Sequence, residues 1–139
     1  MAVLTPERLK INPAETAGRL ERLVRGLVSA AGADGVVVGL SGGVDSATVA
    51  ALMVKALGPD RVYTVTMPEE GVTSPGDVED AASLAGKLGA TFFRAEISGV
   101  VEALRRVIPV FKPDERIAEA NLKPRVRMAI LYYFANRFN

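Results

Sequence analysis

The chain has 139 residues, 49% of them apolar and 24% charged, with a formal net charge of +1. That leaves room for one domain with a real core, excludes a disordered chain and gives no case for bulk nucleic-acid binding. There is no cysteine and no histidine, which removes disulfides, thiolate metal sites and Ser-His, Cys-His or zinc-His chemistry. Any catalysis must rest on positioning, charge and metal, or on a nucleophile that the substrate brings. No apolar run approaches the length of a membrane span and the N-terminus has no signal-peptide layout, so a cytoplasmic protein is the default expectation.

Residues 1–11 read as a loose lead-in. Asn12, Pro13 and Glu15 then make a helix start, with Asn at the N-cap, Pro at the first helical position and Glu at the third. Leu20, Leu23, Val24, Leu27, Val28 and Ala31 follow at helical spacing, and Gly32 is the stop. Arg19, Glu21, Arg22 and Arg25 give the other face mixed charge, which speaks against a membrane-surface helix. Residues 35–40 form a first strand, apolar on both faces as in a parallel sheet covered by helices. The helix after it runs to Leu57 and stops at Gly58-Pro59. Residues 61–67 are a second strand ending at Pro68, 69–76 a loop, 77–88 a helix, 91–96 a third strand and 97–108 another helix. A charged loop spans 109–119, and Lys123-Pro124 opens the last helix. Strand and helix alternate, which calls for right-handed βαβ units in an α/β fold with a parallel sheet. The expected strand order is third, second, first, with ligands at the carboxyl ends.

The first strand leads into Gly39, Leu40, Ser41, Gly42, Gly43, Val44, Asp45 and Ser46. Strand, glycine-rich loop and helix N-terminus together make an anion site, because the first helical N–H groups lack internal partners and the dipole is positive there. Gly42 and Gly43 let the backbone approach a phosphate, and Ser41 and Ser46 add hydroxyls. Asp45 would repel phosphates unless a divalent cation stood between, so it implies Mg²⁺. Asp45 also stands where a Walker A loop has lysine, and GxGxxG is absent. The competing reading is a plain Gly-Gly turn with a capping aspartate.

A second cluster lies at Asn121-Leu-Lys-Pro-Arg125-Val-Arg127-Met128. Arginines in the first turn of a helix oppose its dipole, so Arg125 and Arg127 need another reason, such as binding phosphate or carboxylate; a solvated face is the alternative. Residues 128–136 carry no charge and are apolar all round. Such a helix is buried on several sides, against the sheet and against a partner subunit, unless it is an ordinary core helix.

Ser41-Gly-Gly-Val-Asp-Ser46 resembles the PP-loop of ATP pyrophosphatases, and together with the second cluster the chain resembles the NAD synthetase family. Met67-Pro68, Val72-Thr-Ser, Asp77 and Asp80-Ala81 are similar to the family's loop and helix after the second strand. The chain departs from it at Ala120, where the family usually has Gly, and at Glu69-Glu70, more acidic than expected beside a nucleotide. The resemblance implies a three-layer Rossmann-like, adenine nucleotide alpha-hydrolase-like fold, here with about three strands. On this reading residues 1–139 are the N-terminal part of one domain, a fragment or shortened relative without assured activity of its own.

The implied reaction is ATP-dependent amidation of nicotinic acid adenine dinucleotide (deamido-NAD) to NAD. The substrate carboxylate attacks the α-phosphorus, pyrophosphate leaves, and ammonia displaces AMP from the acyl-adenylate. Residues 39–46 and Met67 would bind ATP, Asp45 would ligate Mg²⁺, and Arg127, Arg125 and Asn121 would face deamido-NAD. A homodimer through the 121–138 helix is expected, with free ammonia or a separate glutaminase as nitrogen source. The alternatives are another PP-loop pyrophosphatase, modifying tRNA or GMP, and a non-catalytic nucleotide-binding module.

Overall fold

A computed structural model describes Thr5 and residues 10–139. Most of the expected lead-in lies outside the described residues. The first helix, α1 (Pro13–Ala31), begins and ends as its caps dictate. The Asn12 side chain accepts from the Glu15 N–H, and Gly32 closes the helix at φ 63°.

Three strands, β1 (Val36–Gly39), β2 (Val62–Thr66) and β3 (Thr91–Arg94), form a parallel sheet in the order β1-β2-β3. This is the expected order, and each strand is slightly shorter than its apolar run. Val38 pairs with Thr64 and Thr64 with Phe92. The β2 side chains alternate between two cores. Helices α2 (Val44–Leu57) and α3 (Pro75–Leu88) cover one face, where Val38, Leu40, Ala50, Val62, Ala81 and Ala85 are buried. Helices α4 (Ser98–Val107) and α5 (Arg116–Phe138) cover the other, where Val65, Met67, Ile97, Val101 and Val126 are buried. Helix, sheet and helix make the three layers of a Rossmann-like fold. The buried hydroxyl of Thr64 donates to the Thr91 carbonyl at 2.9 Å, which satisfies it inside the sheet.

Three elements differ from the sequence reading. Helix α1 packs on α2, which covers only part of it, so of its predicted stripe only Val28 is buried, while Leu20, Leu23 and Leu27 stay exposed. Helix α3 starts at Pro75, two residues earlier than expected, because Ser74 caps it through the Gly76 N–H and Pro75 suits the first helical position. The largest correction concerns α5, which starts at Arg116 and carries Pro124 in its interior. Arg125 and Arg127 therefore lie well inside the helix, they do not oppose its dipole, and the argument that they need a special reason falls away. Tertiary contact holds the early turns: Glu119 forms an ion pair with Arg105 of α4. Pro124 has no N–H to donate to the Ala120 carbonyl, and side chains on both sides of it bond back to the helix. Asn121 Nδ2 donates to the Ile117 carbonyl at 2.9 Å, and Arg125 Nη1 to the Asn121 carbonyl at 2.6 Å.

Helix α4 is capped from outside its own span. Glu96 Oε1 accepts from the Ser98 N–H at 2.7 Å and from the Ser98 hydroxyl, and the hydroxyl contact above all holds the Glu96 carboxyl below the usual carboxylate range. The far end of α5 is fixed by aromatic stacking. The rings of Tyr63 and Phe138 lie 4.3 Å apart at 7°. Ile97 is fully buried between sheet and α4. Ile97→Ala is expected to cost about 2–5 kcal/mol in urea unfolding, whereas Val110→Ala, at a position 78% exposed, should change it by less than about 0.5 kcal/mol.

Candidate functional site

The carboxyl ends of β1 and β2 open into a cavity of about 690 Å³. Its wall includes Gly39, Leu40 and Ser41 after β1, and Thr66, Met67 and Pro68 at the end of β2. Helix α5 closes it with Pro124, Arg127, Met128, Leu131 and Tyr132. Met67 is buried, and Arg127 Nε donates to the Met67 carbonyl at 3.3 Å. That bond ties α5 to the end of the central strand. The side chains of Met67 and Leu131 lie 3.4 and 3.6 Å from where a Cβ on Gly39 would sit, ordinary van der Waals distance, so both pack on the end of β1.

The loop beyond Ser41 is held by its own hydroxyls. Ser41 and Ser46 Oγ stand 3.1 Å apart, Ser46 Oγ donates to the Gly43 carbonyl at 3.0 Å, and Ser41 Oγ accepts from the Gly43 N–H at 3.3 Å. Gly43 is the N-cap of α2 and offers no side chain to cap it. Among the described residues, no hydrogen bond occupies the N–H groups of Val44, Asp45 and Ser46. These first-turn donors, at the positive end of the α2 dipole, are what an anion requires.

Gly42 carries the close approach. Its φ is 82°, and a Cβ there would lie 2.6 Å from the carbonyl oxygen and 2.8 Å from the Cα of Asp77. The loop thus rests on the first turn of α3, so the N-termini of two helices meet beside the cavity. Asp77 also lines it, together with Val72 and Thr73 of the loop before α3. Sequence reasoning assigned these three residues to a family resemblance and gave them no role. The sequence already put Asp77 at a helix start, but its contact with Gly42 comes from two distant segments and leaves no local signal.

Of the residues singled out in the sequence, the cavity gathers Gly39, Leu40, Ser41, Met67 and Arg127. Gly42, Gly43, Val44, Asp45 and Ser46 form the adjoining turn and helix start, with Val44 and Asp45 exposed. Arg125 and Asn121 do not line the cavity; they bond to α5 itself. Glu69 is 5% exposed and sits 2.8 Å from Lys123 Nζ, so its charge is matched within the protein. Among the described residues, no cluster of three or more acidic side chains could form a cage for a metal. The same residues include no helix long and apolar enough to cross a membrane.

A parallel sheet between two helix layers, with this loop between its first strand and the helix that follows, defines a Rossmann-like PP-loop protein. Residues 16–139 match the sequence profile described as NAD synthase. The NH(3)-dependent NAD(+) synthetase of Archaeoglobus fulgidus is 51% identical over 123 residues, which cover 87% of this chain and 48% of that protein. The chain therefore spans about half the length of this relative. The glutamine-dependent NAD+ synthetase from Acinetobacter baumannii, solved with ADP, superposes with a TM-score of 0.86 at 37% identity over 99% of this chain and 26% of that one. NMN synthetase from Francisella tularensis superposes with a TM-score of 0.84 at 28% identity over 94% of this chain and 52% of that one. The chain belongs to the NAD synthase family.

Gly42→Ala is expected to lower the thermal midpoint, since the left-handed backbone alone costs a non-glycine residue about 1–2 kcal/mol before the contact with Asp77 is counted. Gly26→Ala is the control: it lies inside α1 with nothing within 4 Å of its Cβ position, and should stabilise by roughly 0.5–1 kcal/mol.

Proposed function

We propose that the chain carries the ATP-binding part of an enzyme that amidates deamido-NAD to NAD with ammonia, through an acyl-adenylate. The observation that supports it most is the unpaired first turn of α2 beside a cavity that Arg127 closes from the opposite element. On this reading the N–H groups of Val44, Asp45 and Ser46 hold the pyrophosphate portion of ATP. The Ser41 and Ser46 hydroxyls exchange their mutual contact for phosphate oxygens. Met67 and Leu40 supply apolar surface for the adenine, and Arg127 meets the dinucleotide substrate. Donors fixed before the reaction stabilise charge as it develops on the leaving group, which needs no protein nucleophile.

Mg²⁺ fits the donors present. It is usually held by one or two carboxylates and substrate phosphates rather than by a protein cage, and Asp45 offers one exposed carboxylate at the helix start. Bound there, the ion would neutralise phosphate charge. The cytoplasm, where ATP and Mg²⁺ meet, is the proposed location. Met128, Tyr132 and Tyr133 leave an exposed apolar face on α5, which we assign to a homodimer. The likeness to NMN synthetase favours a second reading, in which the product is the mononucleotide.

Calorimetry should show Mg²⁺-dependent ATP binding that Asp45→Ala and Ser41→Ala each weaken by about tenfold or more, a loss of the order of one charge-assisted contact. No ATP binding by the parent chain would count against the reading. Supplying deamido-NAD or its mononucleotide counterpart with ATP and ammonia, and assaying AMP, pyrophosphate and amide, separates the two products. Sedimentation should give a dimer mass that Tyr132→Glu reduces to a monomer, whereas a parent chain that stays monomeric at high concentration would refute the dimer.

A further inference from the structure

The loop after β2 is organised around Glu69. Its carbonyl accepts from the N–H groups of Val72 at 3.1 Å and Thr73 at 2.9 Å, and its own N–H donates to Thr73 Oγ1 at 2.9 Å. Val72 and Thr73 are wall residues of the cavity. The carboxylate turns inward: the Glu69 side chain is 6% exposed and its Oε2 lies 2.8 Å from Lys123 Nζ, itself 22% exposed. The contact is ionic rather than a directed hydrogen bond, and Oε2 has no aligned donor. Lys123 is one helical turn before Arg127 on α5, and Arg127 donates to the carbonyl of Met67, two residues before Glu69. Segment 67–69 and α5 are thus joined by two rungs, each a basic side chain of α5 on an acceptor beyond β2. Desolvating two charges offsets much of their attraction, so net stability is a weak reason for a buried pair, while a fixed register is a better one.

We propose that Glu69 and Lys123 are a positioning pair for the nucleotide cavity, fixing loop 69–73 to α5 and so holding the wall formed by Val72 and Thr73. This rests on the ATP-binding reading above. The pair touches no reacting atom in that scheme. It acts by keeping the wall at a set distance from the Arg127 side of the cavity. Breaking one rung frees the loop while the second still holds Met67, so the chain should stay folded.

The test uses the chain with Lys123→Met, Glu69→Gln, the double variant and the conservative Lys123→Arg, with two readouts. Hydrogen exchange at the Val72 and Thr73 amides should quicken by about tenfold or more in both charge-removing singles. It should stay near parent in Lys123→Arg. The Ala33 amide, which bonds to the Val28 carbonyl far from the site, should not change. Mg²⁺-ATP affinity should fall in the same singles, recover in Lys123→Arg, and fall no further in the double variant, because the two residues act as one unit. Unchanged exchange at Val72 and Thr73 overturns the pair as a loop anchor. Faster exchange with ATP affinity intact overturns its role in the cavity, and so does an additive double variant. If the parent chain binds no ATP, the nucleotide reading fails, and the exchange arm still decides whether the pair anchors the loop.

Discussion

Parallel strands place all their carboxyl ends on one side, and each return to the other side needs a crossover helix. In this chain that constraint gathers the ends of β1 and β2, the N-termini of α2 and α3 and the middle of α5 around one opening. The central strand makes the arrangement rigid. Val62, Thr64 and Val65 are fully buried, with a helix layer on each face, so the segment that leaves β2 at Met67 starts from a fixed point. Arg127 and Lys123 then need only reach that segment to set the far wall of the cavity.

The loop between β1 and α2 is tied together by its own side chains. Its serines satisfy each other and its glycines, while the first N–H groups of α2 are left over. An arriving anion would therefore meet donors already in place and would displace only a weak hydroxyl contact. Little reorganisation is required at the moment of binding, which is the physical content of preorganisation. Gly42 makes this geometry possible, since any side chain there would strike the backbone of Asp77.

Much of this was legible because the signals are local. Asn12, Gly32, Gly58 and Gly89 end or begin helices through their own backbone preferences, and the apolar runs of β1 and β2 lie where expected. The turn at 39–46 was readable because an apolar run leads into paired glycines and a helical pattern follows them. What failed was non-local. Pro124 looks like a helix start, and nothing in the charged stretch before it shows that Arg105 pairs with Glu119. Glu69 looked out of place beside a nucleotide because its partner, Lys123, comes from a distant element. The α1 stripe has helical spacing whether it packs on a sheet or, as here, on another helix that covers only part of it.

Pro124 has a mechanical consequence. A helix held by every backbone bond behaves as a single beam, whereas one interrupted by proline has a softer section where bending costs less. Glu119 stands before that section, and Lys123 and Arg127 stand at and beyond its end. Towards its end, α5 is anchored by the stack of Phe138 on Tyr63 and by the Asn139 carbonyl, which accepts from the Asp34 N–H at 2.7 Å. Towards its start, it is joined to α4 through Glu119 and Arg105. The helix is thus two stiff arms joined by a compliant section. Compliance there lets the arm carrying Glu119 follow small shifts of α4 while Lys123 and Arg127 keep their contacts with segment 67–69.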